Sequence, residues 1–566
     1  MKQKLSLPLT LSLLLVSTQS FAIAQERADG PTIRITPARS STQTSIGRRA
    51  GRFNSIATPV IEKDFEEALQ VIQDHYVDGR KLDYNQVFKS SILGMLRSLD
   101  PHSSYYDREE YEELKTEQRS EYFGIGASIQ NYLVRDTLDT YITSTFRGSP
   151  AWRGGLRYGD RIVAVDGVKM TGKTSLEVRN RIRGPRGSVV RVTVERASDR
   201  KTQVVSITRD SVAQPSVPDA YMIQPGVGYI DMTRGFNYTT SDELREALDV
   251  LQSKGATSLV LDLRNNPGGF LDQAIRVAEV FLPYGQLILT QKGRNGLREN
   301  TYRSRNRSAD STPLVILINE STASASEIVA GAMQDHDRAL IVGETSFGKG
   351  LVQSIIPLDY GGGLTLTSAK YYTPSGRLIQ RDYSDHGLYD YFTQGGSRRN
   401  GEKKPVGPER KTDTGRAVYG GGGITPDEPV QVEAVTTAQR RLVSPLFGFT
   451  RDLVNGRIPG MGHYRVPGGI NFNHELQSQE FTVDRRTLKA FEDYLAGDPA
   501  LAKLAPLVRR NRSFIQLQLR YNVVTAAYGR TMADRVLVVT EDEQIARAIE
   551  VLPRAKDLAM AAMSRR

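Results

Sequence analysis

Apolar positions along this chain recur with two periods, and the period changes with region. After Pro59, Phe65, Leu69 and Ile72 recur at i, i+4 and i+7. Ile92, Met95, Leu96 and Leu99 share a second helical face that stops at Pro101. Both runs predict helices. Between about 120 and 210 the runs shorten. Strands are predicted at 121–127, 141–145, 160–165 and 189–195, with Asp166-Gly167 a tight turn. A helical turn begins at Ser149-Pro150-Ala151, and a short helix covers 176–182. Short strands around two short helices make a small, partly open β-barrel. From Gly226 strands and amphipathic helices alternate. The strands are 228–232, 258–263, 313–319, 340–342, one carrying Gln353, and 363–372. The helices are 241–254, 271–281 and about 324–334. This alternation predicts a layered α/β core.

Residues 383–423 are polar and glycine-rich and predict a surface excursion. Beyond 431 further helices are expected. Leu488, Phe491 and Leu495 share a face, and Thr540-Glu541-Asp542-Glu543 has the capping-box form. The fold class is therefore an α/β multidomain chain. Its expected divisions are a leader at 1–24, a tail at 25–56, a helical region at 57–118, the small barrel at 119–212, the α/β core at 213–430 and a helical extension at 431–566.

Composition narrows the compartment. Lys2 and Lys4, the apolar run from Leu7 to Val16 and the small-x-small Ala22-Ile23-Ala24 form a secretory leader. The chain has no cysteine, which removes disulfides and thiol chemistry and suits a bacterial periplasm. The net charge of +11 is scattered through all regions, so no nucleic-acid partner is expected. The six histidines show no ligand spacing, so neither a metal nor another cofactor is expected. The sequence leaves open attachment to a membrane surface, a homo-oligomer and an activating adaptor.

Candidate chemistry collects between Pro313 and Gln353. Ser324 opens a helix, where the N–H of Ala325 would be free at the positive end of the dipole. Gly268 and Gly269, in the loop after strand 258–263, could supply a second donor to an oxyanion. Lys349, between two glycines, could serve as a base if burial lowers its pKa. An even separation in a strand would place Gln353 on its face as an orienter. The same residues have a structural reading: Ser324-Ala325-Ser326-Glu327 is a capping box by sequence, and a lysine in a glycine loop is usually solvated. Both readings stay open on local pattern.

A resemblance decides between them. Phe123-Gly124-Ile125-Gly126, Ser149-Pro150-Ala151, Gly159-Asp160-Arg161-Ile162 and Ile182-Arg183-Gly184-Pro185-Arg186-Gly187 resemble a PDZ domain. Such domains take a peptide as an added strand and hold its terminal carboxylate on a glycine-containing loop, which implies that role for Phe123, Gly124, Ile125 and Gly126. Residues 58 to about 430 resemble the carboxy-terminal processing proteases. The motifs are Leu99-Asp100-Pro101-His102-Ser103, Asp262 to Gly269, Ser324 to Val329, Phe347-Gly348-Lys349-Gly350 with Gln353, and Tyr371 to Gly376. The resemblance implies a core like those of Clp peptidases and crotonases. It also implies a Ser–Lys dyad of Ser324 and Lys349, 25 residues apart, assisted by Gln353. Ser321 and Ser326 fit that spacing less well. The implied substrates are polypeptides with accessible C-terminal tails. The rival readings are a PDZ adaptor without catalysis and a crotonase-type acyl-CoA enzyme.

Overall fold

The computed structural model describes residues 58–117, 121–134, 137–294, 299–384, 391–392 and 407–564. The leader and the tail expected at 1–24 and 25–56 lie outside them. The described residues fall into two compact units, one ending at Ser98 and the other beginning at Leu99.

In the first unit two helices are described, Thr58–His75 and Tyr84–Arg97. Asp83 caps the second, accepting from the N–H groups of Asn85 and Gln86. The spacing that predicted these helices also predicted buried stripes. Phe65, Ile72 and Met95 are instead exposed, because a pair of helices this small leaves much of its apolar surface uncovered.

The second unit is built on a six-stranded sheet in the order Asp219–Gln224, Val227–Asp231, Ser258–Asp262, Leu314–Ile318, Ala339–Gly343 and Glu428–Pro429. Only the first pairing is antiparallel. Parallel strands buried on both faces read as unbroken apolar runs, which is why 258–263 and 313–319 were legible. Alternate residues take opposite sides. Leu259, Leu261, Ile316, Ile318 and Ile341 pack under the helices Thr240–Ser253, Leu271–Phe281 and Ala325–Asp335. Val260, Val315, Leu317, Leu340 and Val342 pack on Ile545, Ala548, Val551, Leu552 and Ala555 of the helix Glu543–Ser564. The C-terminal extension is thus the third layer of the core. A second, antiparallel sheet carries Leu351–Pro357 on Gly363–Tyr372, which also pairs with Ser104–Tyr106 and Leu287–Gly293.

The small domain is an open six-stranded sheet, in which Ala127–Val134, Thr137–Thr145, Arg161–Val165, Val189–Glu195 and Thr202–Thr208 are successive neighbours. It curls around Val178 and Ile182 of the helix Ser175–Ile182. The strands Ala127–Val134 and Thr202–Thr208 carried no sequence expectation.

Two other expectations change. Residues 407–423 are tied to the core: Glu409–Lys411 and Ala417–Tyr419 form a hairpin, between whose strands Arg416 bonds Asp337 and Asp427. The capping box expected at Thr540 is not the helix start. Thr540 lies within the helix Arg530–Glu541, and Asp542 caps the next one, accepting from Gln544 and Ile545 at 3.0 and 3.1 Å.

Candidate active site

Ser324 lies between the buried strand Leu314–Ile318 and the helix Ala325–Asp335, every residue of which is buried. Its backbone is at φ 56°, ψ −116°. A residue with a Cβ pays on the order of 1–3 kcal/mol for such a conformation, and it persists only where the surroundings enforce it. Here they do. Asn266 is fully buried; its side chain donates to the Met232 carbonyl at 2.6 Å, and its carbonyl accepts from the Ala323 N–H at 2.9 Å. Gly268 sits directly against the Ser324 turn. A Cβ built on it would lie 2.6 Å from the Ala323 oxygen, 2.7 Å from the Ala325 nitrogen and 2.8 Å from the Ser324 Cβ.

The three nearby serines are now distinguishable. Ser326 is fully buried and donates to the Asn266 carbonyl. Ser321 is exposed in the preceding turn, and Ser324 is half-buried. The donors near Ser324 separate as well. The Gly268 N–H is buried and given to Asn266 Oδ1 at 2.9 Å. Those of Ala325 and Gly269 have no partner among the described residues, and Gly269 is exposed.

Glu327 joins the serine to the lysine loop. Its carboxylate, fully buried, accepts from the Ser324 N–H at 2.7 Å, as the Glu of a capping box would. It also accepts from the Ser346 hydroxyl and from the N–H groups of Gly348 and Lys349 at 2.7 and 2.9 Å. Burial pushes its pKa up against these hydrogen bonds. Tyr371, buried, adds a second tie: its hydroxyl bonds the Ser324 carbonyl at 3.1 Å and the Lys349 carbonyl at 2.9 Å. Sequence reasoning missed both roles, although the Ser-x-x-Glu spacing marked Glu327 as the partner of Ser324.

The Lys349 amine makes no hydrogen bond or ion pair among the described residues. Burial lowers its pKa to about 8, with the charges of Glu327 and Asp100 opposing that fall. Gln353 does not share a strand face with it in the simple way expected. Lys349 precedes the strand, which starts at Leu351, so strand alternation does not reach it; the bulge opposite Val352 and Gln353 puts its extra residue, Ser368, on the partner strand. The Gln353 Nε2 donates to Thr367 Oγ1 at 3.3 Å. Thr367 is held in turn: its N–H donates to Ser103 Oγ, whose hydroxyl donates to Asp100 at 2.6 Å. The adjacent His102 has its pKa lowered to about 3 by burial and then by the charge of Lys349. Its Nε2 pairs with the Tyr391 hydroxyl at 2.7 Å. Among the other histidines, His336 has both ring nitrogens engaged, with Asp413 and the Leu287 carbonyl.

The second candidate loop opens the small domain. Glu121–Gly124 pairs with Asp210–Ala213. The Ile125 carbonyl accepts from Ala151 at 2.7 Å, and the Gly126 carbonyl from Phe146 and the Ser149 hydroxyl. Gly126 has φ 73°, and a Cβ there would stand 2.4 Å from that of Ser149. The N–H groups of Ile125 and Gly126 bond no main-chain carbonyl among the described residues.

The chain is similar in sequence to known proteins. The profile of peptidase family S41 matches residues 226–386, and that of the PDZ domain matches residues 141–196. A carboxy-terminal-processing protease of Bartonella bacilliformis is 40% identical over 308 residues, covering 53% of this chain and 68% of that protein. The carboxy-terminal processing protease CtpA of Bacillus subtilis is 35% identical over 337 residues, covering 59% and 69%. A solved photosystem II D1 C-terminal processing protease is 26% identical, covers 66% of this chain and 94% of its own, and has a TM-score of 0.35.

Proposed function

Because this chain belongs to peptidase family S41, the carboxy-terminal processing serine proteases, and carries a PDZ domain, we propose that it captures the C-terminal tail of a polypeptide on that domain and cleaves upstream through an acyl-enzyme at Ser324. The tail carboxylate binds the loop Phe123–Gly126, and the tail adds as a strand beside Ala127–Val134.

Ser324 Oγ attacks the scissile carbonyl carbon while the neutral Lys349 amine takes its proton. The displaced electron pair rests on the carbonyl oxygen, held by the N–H groups of Ala325 and Gly269. Gly269 has this role, since the Gly268 N–H is already given to Asn266. The adduct then collapses, the C–N bond breaks, and the Lys349 ammonium protonates the leaving amine. Water gives a proton to Lys349 and attacks the ester. The new C-terminus leaves, and the proton returns to Ser324. With its Nε2 committed to Thr367, Gln353 has its Oε1 left to accept from the amine and orient it without adding charge.

The observation that carries this reading is the unpaired, desolvated Lys349 amine on a loop that Glu327 and Tyr371 fasten to Ser324. The exported location expected from residues 1–24 completes the proposal, and cell fractionation checks it. The reaction is tested with an unfolded protein bearing a labelled apolar tail. Wild type cleaves it, and Ser324→Ala and Lys349→Ala each lower turnover by roughly a thousandfold or more. Cleavage retained by Ser324→Ala would refute the assignment.

A further inference from the structure

Among the described residues the strand Ala127–Val134 is an edge, paired only with Thr137–Thr145. In an antiparallel ladder, main-chain groups turn alternately toward and away from the partner. The Gly126 carbonyl accepts from Phe146, and Val134 opposes Thr137 at the closing turn. Those two ends set the phase, and the bulge between them, opposite Ser128 and Ile129, puts its extra residue, Thr143, on the partner strand, so the alternation along Ala127–Val134 is kept. Ser128, Gln130 and Tyr132 bond inward, while Ala127, Ile129, Asn131 and Leu133 face the open edge. Leu133 is not free, however. Its N–H donates to Ser444 Oγ at 3.3 Å.

Ser444 belongs to the helix Thr437–Leu453 of the C-terminal extension. This helix is bolted to the same end of the small domain. Phe447 stacks on Tyr132 with ring centroids 3.8 Å apart and meets the edge of Tyr141. Arg451, buried, donates to the Gly159 carbonyl at 2.6 Å and pairs with Glu195 at 3.0 Å. On the other side of the groove, the Asn131 amide donates to the Lys173 carbonyl at 3.0 Å and accepts from the Ser175 N–H. That pins the start of the helix Ser175–Ile182 to the strand.

We propose that the helix Thr437–Leu453 closes the far end of the PDZ groove and so limits the length of tail that the edge strand can read. The proposal rests on the tail-capture reading above. A tail with its carboxylate at Phe123–Gly126 runs antiparallel to the edge strand, toward Leu133. It finds open partners at Ala127, Ile129 and Asn131. The next position is occupied by Ser444. One outward residue serves every second peptide residue, so in-strand pairing ends after about five tail residues. Upstream substrate must leave the groove there. The extension, besides covering the core sheet, becomes a determinant of specificity.

The test uses full-length Ser324→Ala protein and nested peptides with one apolar C-terminus, from about three to about nine residues long. Affinity should rise up to about five residues and then stay within about twofold. In amide exchange, bound peptide should slow Ala127, Ile129 and Asn131, while Leu133, already protected, should not change. Combining Ser444→Gly with Phe447→Ala should restore a rise with length, about tenfold by nine residues. If that variant does not fold, the length series and the exchange pattern decide. Affinity that keeps climbing in the protein with an intact helix, or a response at Leu133 to longer peptides, overturns the length limit alone. Absence of binding at every length overturns tail capture and the limit with it.

Discussion

Two helix starts in this chain carry the same signature and differ in what surrounds them. At Thr174 the backbone is extended, φ −68° and ψ 152°, and the box closes on itself. The Thr174 N–H donates to Glu177 at 2.8 Å, and the Glu177 N–H donates to the Thr174 hydroxyl at 3.2 Å. Glu177 is exposed, and its pKa falls to about 2 because the Thr174 N–H and Lys173 stabilise the carboxylate. At Ser324 the φ is positive, the glutamate is fully buried, and three further donors from the lysine loop converge on it. A cap needs only its own first turn. Burying the same glutamate obliges other segments to bring donors to it, since an unsatisfied buried carboxylate is costly. That requirement draws the backbone of the lysine loop to the Ser324 turn.

The comparison can be broken most severely at the reacting groups. Ser324→Ala and Lys349→Ala should lose roughly a thousandfold or more in turnover, while Thr174→Ala should leave turnover on a saturating substrate unchanged. A similar loss from all three would erase the distinction.

Glu327→Gln is the next largest. The amide presents two donors to a site lined with donors, and turnover should fall by about a hundredfold. Its pH profile gives a second readout. Only the neutral amine can take a proton, so wild-type turnover should rise with pH through about 8. The Glu327 charge holds the lysine pKa up, so its removal should move that limb to lower pH. A shift to higher pH would contradict the electrostatics. Glu177→Gln should do neither.

Glycines extend the contrast. Gly268→Ala forces a Cβ into the Ser324 turn at a φ of 90°. It should cost more than about 1 kcal/mol of stability and at least about tenfold in turnover. Gly172, beside the Thr174 cap, also has a positive φ but open space around it. Gly172→Ala should cost about 1 kcal/mol measured by denaturant titration, with turnover unaffected. Tyr371→Phe removes the hydroxyl that ties Ser324 to Lys349 and should slow turnover by about tenfold. Thr174→Ala should likewise cost about 1 kcal/mol of stability.

The same contrast explains how much could be read from sequence. The core strands declared themselves because burial on both faces makes them uniformly apolar, and helix 271–281 was placed at its observed bounds. Ser324, Lys349, Ala325 and the glycine pair were found as candidates, since each needs only local chemistry. Glu327 was read as a cap because its other partners lie 19 to 22 residues away. Gln353 was aimed by strand alternation, which does not extend to Lys349 because the strand begins only at Leu351. Strand 127–134 escaped because Ser128, Gln130 and Asn131 break its apolar pattern. Asp542 was overlooked beside Thr540, although it both caps its helix and holds Arg264 at 2.7 Å.

The central claim is that Ser324 reacts because Lys349 takes its proton. The most direct measurement is the rate at which a serine-directed phosphonylating reagent labels the intact protein as pH is raised, with the labelled residue found by peptide mass. The expected result is a single adduct on Ser324, forming faster as pH passes through about 8, with no such rise in Lys349→Ala. An adduct on Ser321 or Ser326, or an unchanged profile in Lys349→Ala, would contradict it.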